Sequence, residues 1–132
     1  MKQLAILCLC TICLMGCYDE RSAVVGTWGI LRIDPLHQGA ELPEFVSNVI
    51  VVLEKEGKFS GGFPSTYYQN IDKFRDSRIV NINAFRRDGK RYVRFVFKEE
   101  NPILDRDFEV IPNGRQLVLR CEDYQILLER WM

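Results

Sequence analysis

Alternating apolar and polar segments, joined by glycine-containing turns, constrain this chain more than any other feature. Val93, Phe95 and Phe97 alternate with Tyr92, Arg94 and Val96. A strand points successive side chains to opposite faces. Ile79 to Arg86 precedes this segment across Asp88-Gly89, a dipeptide suited to the positive φ angles of a tight hairpin turn. The spacing predicts two further hairpins. In one, Asn48 to Leu53 turns at Lys55-Glu56-Gly57-Lys58 and returns as Phe59 to Phe63. In the other, Asp105 to Ile111 turns at Pro112-Asn113-Gly114 and returns as Arg115 to Cys121. Tyr124 to Trp131 forms the last strand, with Tyr124, Ile126 and Leu128 opposed to Gln125, Leu127 and Glu129. Val25 to Ile33 forms the first, with Trp28, Ile30 and Arg32 on one face and Pro35 ending it.

Eight or nine strands with short turns and no repeated βα unit indicate an all-β domain. The expected form is a small up-and-down antiparallel barrel, with a β-sandwich as the alternative. Closing the sheet also removes exposed strand edges. Two stretches are less regular. Residues 35–47 form a long connection anchored by Leu36, Leu42, Phe45 and Val46, of the kind used as a lid or binding loop. In residues 64–78, Thr66-Tyr67-Tyr68 has strand propensity, while Tyr67, Ile71 and Phe74 have helical spacing. A short strand followed by a turn of helix fits both. Gly61-Gly62 inside a strand signals a bulge or a close backbone approach.

The first residues read as an address. Lys2 is basic, Leu4 to Met15 is apolar apart from Thr11, and Gly16 precedes Cys17. This is the layout of an export signal, and the apolar run is too short to span a bilayer, which takes about 20 residues. Leu14-Met15-Gly16-Cys17 resembles the bacterial lipobox. The resemblance implies cleavage before Cys17 and lipidation, palmitate included, of that cysteine. The expected organisation is a signal peptide over 1–16, a lipidated N-terminus and tether over 17–24, and one barrel domain over 25–132. Tyr18-Asp19-Glu20 is similar to the acidic surface-export signal of Bacteroidota lipoproteins. It implies an outer-membrane lipoprotein displayed at the cell surface, or otherwise facing the periplasm.

Of five cysteines, Cys8, Cys10 and Cys13 leave with the leader and Cys17 becomes a thioether. Cys121 is then the only thiol, so no intramolecular disulfide can form. Inside Leu117-Val118-Leu119-Arg120-Cys121 it reads as a small buried hydrophobe. Past the leader the chain carries 17 basic residues (18 less Lys2) and 18 acidic ones. The charges are interleaved, without the basic footprint of nucleic-acid binding.

His37 is the sole histidine, and Ser–His, Cys–His and multi-histidine arrangements lack their partners. The expectation is a non-enzyme with no metal and no cofactor. Glu99-Glu100 borders a turn, and Asp105 and Asp107 fall on one strand face where a cation has room, although solvated charge is the simpler reading. No glycine pattern suits a phosphate-binding loop. The remaining signal is aromatic: Tyr67, Tyr68, Phe74, Phe85, Tyr92, Phe95 and Phe97 either line a pocket or form the core.

Gly26-Thr27-Trp28 opens the first strand directly after the tether and resembles the start of lipocalin and lipocalin-like domains. The resemblance implies that Trp28 plugs the closed end of a barrel. It also implies that a basic residue near the chain end, Arg130 or Arg120, packs over the indole as a cation–π partner. Small lipocalin-like lipoproteins of Bacteroidota are similar in layout across the whole mature chain. This chain is shorter than an animal lipocalin, so any cavity is small, and an eight-stranded barrel either fills with side chains or holds one small ligand. The implied function is binding of a small apolar or glycan ligand outside the cytoplasm, with Phe45, Tyr67, Tyr68, Phe74 and Tyr92 as ligand-binding candidates. The alternative is a protein-interaction lipoprotein (accessory, inhibitor or immunity-like) with a filled barrel. Its exposed patch would lie around Phe45, Val46, Tyr67 and Tyr68.

Overall fold

The structure, a computed structural model, describes residues 20–64, 66–68 and 71–131, with the backbone alone for 66–68 and 71–75. Residues 1–19, with Cys17 and the expected leader, lie outside the described residues. After one helical turn, α1 (Glu20–Ala23), eleven strands follow: β1 (Gly26–Pro35), β2 (Glu44–Phe45), β3 (Val49–Lys55), β4 (Lys58–Gly62), β5 (Thr66–Tyr68), β6 (Ile71–Arg75), β7 (Ile79–Arg87), β8 (Lys90–Phe97), β9 (Phe108–Asn113), β10 (Gln116–Arg120) and β11 (Tyr124–Arg130).

Two hairpin turns set the frame. Glu56 and Gly57 have φ of 54° and 80°, and Asp88 and Gly89 have 53° and 75°. Two successive left-handed residues twist in the sense of the flanking strands. Eight strands form one antiparallel sheet in the order β4-β3-β1-β11-β10-β9-β8-β7. Each sits beside its neighbour in the chain, and the first strand pairs with the last. That is a small up-and-down barrel, nearly closed. Its seam runs between β4 and β7, where the described ladder is one bridge, Gly62 to Arg78, and one flanking bond, Phe63 N to Ser77 O at 3.1 Å. The paired glycines of β4 serve close approaches on its two sides, Gly61 to β3 and Gly62 across the seam. Gly61 has φ +95° and a Cβ there would collide with the Val51 carbonyl, while a Cβ on Gly62 would stand 2.9 Å from the Ser77 carbonyl.

The inward positions of the strands are taken by one apolar cluster. Phe63 meets Phe95 at 4.9 Å and Phe97 at 5.4 Å. Phe95 meets Phe108 at 6.2 Å, and Phe108 meets Tyr124 at 6.1 Å. Each buried ring contributes about 1.5–3 kcal/mol by area, with ring pairing adding about 1 kcal/mol. Tyr124, fully buried, donates its hydroxyl to the Ile103 carbonyl. Burial holds its ionisation well above the ordinary tyrosine range. Cys121 is buried among the same residues.

Three segments depart from the sequence expectations. Arg32 does not share the face of Trp28 and Ile30. A bulge between Ile30 and Arg32 leaves Leu31 without a partner, and the extra residue reverses the alternation. Arg32 is therefore exposed, and Ile33 packs against the core opposite Ile126. No helical turn occupies 71–75; this stretch is β6, which pairs back on β5, and with β2 the three make a small second sheet. Strand pairing satisfies the backbone there and overrides the spacing of Ile71 and Phe74. Finally, β9 begins at Phe108 rather than Asp105. Asn101, fully buried, ends the preceding loop by accepting from Leu104 N at 2.9 Å and Asp105 N at 2.7 Å through its carbonyl. Asp105 and Asp107 consequently do not form a same-face strand pair.

Candidate functional site

The outer wall of β8, β9 and β10 carries a cleft of about 540 Å³. Strand register builds its floor: Glu109 pairs with Tyr92 on one side and Arg120 on the other, so all three project outward. Arg87 and Arg94 extend the wall, and Asp105, Arg106 and Asp107 close one end beside Cys121 and Glu122. Four guanidinium groups thus face four carboxylates.

Ion pairs order this lining. Arg94 reaches Asp107 at 3.1 Å and the Asp105 carbonyl at 2.9 Å. Arg87 reaches the other Asp107 oxygen at 3.3 Å. The Arg87 guanidinium also lies 5.2 Å over Phe85 and 5.5 Å over Tyr92. Those two rings stack at 5.4 Å, nearly parallel. The result is a polar surface with one aromatic ring, Tyr92, in its wall, offering donors from Arg and acceptors from Asp and Glu. Among the described residues, no group of three or more His, Cys, Asp and Glu side chains is placed to hold a metal ion.

One end of the barrel is sealed. Trp28 is buried and donates its indole N–H to the Val24 carbonyl at 2.9 Å. The Arg130 guanidinium lies 4.4 Å over its ring and donates to the Val25 carbonyl at 3.3 Å. Gly26 leaves room for that contact, since a Cβ there would stand 2.8 Å from Arg130 Nη1. Arg120, the other basic residue considered over Trp28, sits instead on the cleft and binds Gln125 at 3.0 Å.

At the opposite end Asp123 ties three connections together. Its carboxylate accepts from Arg106 and meets His37 Nε2 at 2.7 Å, while its carbonyl accepts from Leu36 N at 2.9 Å. The hydrogen bond to Asp123 raises the His37 pKa above its ordinary 6.5. In return, His37 first and Arg106 second lower that of Asp123. Nearby, the Arg78 side chain holds Asp76 down to about 2.

The sequence candidates are dispersed. Tyr92 lines the cleft. Phe45 is half-buried, 6.2 Å from Phe63, while Val46 beside it is exposed. Tyr67, Tyr68 and Phe74 lie on β5 and β6, with side chains outside the described residues. Sequence reasoning took Asp107 only as a carboxylate pair with Asp105 and Arg120 only as a partner for Trp28, and did not assign Arg94 or Glu109 to a site. The outward alternation of Arg94, Glu109 and Arg120 was legible, but which strands adjoin follows only from the topology. No protein-family model, no curated protein and no solved structure matches this chain.

Proposed function

We propose that this protein is a lipid-anchored, lipocalin-like binding domain that works outside the cytoplasm and takes a glycan in the outer cleft rather than a ligand inside the barrel. The observation that carries this reading is the lining of the cleft: Arg94, Arg120, Asp107 and Glu109 around Tyr92. Vicinal sugar hydroxyls both donate and accept, and a surface alternating guanidinium and carboxylate matches them. Charged groups of both signs make charge-assisted hydrogen bonds, roughly twice as strong as neutral ones. An apolar ligand fits less well, because the inward positions are occupied by the Phe63–Phe95–Phe108–Tyr124 series. The domain is read as a binding module, not an enzyme.

A glycan array probed with the mature protein tests this. A specific signal lost in Tyr92→Ala and in Arg94→Ala, but kept in Val46→Ser, is the expected result. Absence of specific signal, or retention in both cleft variants, removes the reading. One observation favours a protein partner instead: Leu31, Leu53 and Trp131 are each about half exposed, and the Trp131 indole covers Gly29 on the outer wall. A protein-binding domain gives no specific glycan signal, so the same array separates the two.

A further inference from the structure

The two ends of the barrel carry opposite charge. The β3–β4, β7–β8 and β9–β10 turns and α1 gather at the end sealed by Trp28, and the β10–β11 turn and the long connections gather at the other. By sequence, segments 20–25, 54–58, 86–91, 112–116 and 129–131 at the sealed end hold nine Lys or Arg and five Asp or Glu. Segments 34–48, 63–78, 98–106 and 120–124 at the open end hold six and ten, while Asp107 pairs with Arg87 of the sealed-end tip. The exported chain as a whole is one charge from neutral, so this is a separation of charge, not an excess.

The basic charge is densest at the tip of the β7–β8 hairpin, where Arg86-Arg87-Asp88-Gly89-Lys90-Arg91 places four cations in six residues. The chain enters the barrel beside that tip. Glu20, buried on α1, lies 3.4 Å from Arg86 and 3.9 Å from Arg91. Cys17 precedes Glu20 by three residues, which reach at most about 11 Å when extended. A lipid on Cys17 therefore holds the basic tip within about 20 Å of the bilayer surface, inside the Debye length of about 30 Å at low salt.

We propose that the sealed end faces the membrane and docks through the 86–91 hairpin on anionic phospholipid headgroups. The acidic open end then points away from the bilayer. The orientation rests on the reading of Cys17 as the anchor. Each Lys or Arg near an anionic surface raises partition by about fivefold, screened by salt. Glu20 and Asp107 offset part of the charge on Arg86, Arg87 and Arg91, which leaves Lys90, exposed at the turn, as the most effective contact.

The test uses the mature chain with Cys17→Ser, so that headgroup binding is read without the lipid. Every residue of the apolar cluster lies at Ala23 or later, and the substitution leaves the barrel untouched. The protein is co-sedimented with vesicles of phosphatidylglycerol mixed into phosphatidylcholine, and with phosphatidylcholine alone. Partition about tenfold higher onto the anionic vesicles at low salt, and lost at high salt, is expected. Lys90→Glu should lower it by about tenfold, and Lys98→Glu, at the open end, by less than about twofold. Equal partition onto both vesicles, or equal losses in the two variants, overturns the proposal. The anchor is read separately, by the mass of the wild-type protein. An unacylated Cys17 overturns the anchor reading, while the vesicle result still decides the docking.

Discussion

The sealed end and the open end of this barrel are built by different physics. At the sealed end, two-residue turns reverse the chain within a few positions and one indole fills the gap, with Arg130 laid over it. At the open end, long connections are tied by polar contacts between distant residues, His37 with Asp123 and Arg106 with Asp123. The closure of the first end depends on packing; the ties across the second depend on charge. A barrel of this size can leave one end adaptable because the other end and the aromatic interior carry the stability.

Substitutions at the two ends should therefore differ in kind. Trp28→Ala should destabilise the protein by about 3–5 kcal/mol in denaturant titration, the usual cost of emptying a buried aromatic site. A loss under about 1 kcal/mol would mean that the plug is not what seals the barrel. Gly61→Ala, where β4 packs against β3, should cost about 2 kcal/mol through its left-handed backbone and the Val51 carbonyl it would strike. Arg130→Ala should cost about 1 kcal/mol, the scale of a partly desolvated cation–π contact, and should shift Trp28 fluorescence.

At the open end the readout is pH rather than denaturant. His37 is the only histidine, so one NMR resonance pair reports it. Its midpoint should lie above 6.5 and fall back in Asp123→Asn. Because the folded-state pKa is raised, the stabilisation from the His37–Asp123 pair is fully present below 6.5. It is lost as pH rises through the raised folded value. Asp123, whose pKa is lowered, behaves oppositely at the acid end: its contribution disappears as pH falls through the depressed folded value. An unshifted midpoint in the wild type would sever the tie between the 36–43 loop and the β10–β11 turn.

Much of the fold was legible because its signals are local. The alternation at Val93-Phe95-Phe97, the turns at Gly57 and Gly89, and the close approach at Gly61-Gly62 each lie within a few residues of what they determine. The bulge at Leu31 was not legible, since nothing in Ile30-Leu31-Arg32 distinguishes the extra residue until β11 supplies the partner register. The helical spacing of Tyr67, Ile71 and Phe74 misled for a related reason: strand pairing from β5 outweighed it. The cleft escaped notice because its lining residues look like ordinary solvated charge one strand at a time. Only adjacency of β8, β9 and β10 brings Arg94, Glu109 and Arg120 to one concave wall.

The narrow join between β4 and β7 has a mechanical consequence. A tube slit along one side resists bending almost as well as a whole one but yields readily to twist, because the two lips can slide past each other without breaking any full ladder. Shear along the line through Gly62 and Arg78 is opposed there by one bridge and one flanking bond, less than any full ladder of the sheet supplies, and β5 and β6 lie on the chain that joins the two lips.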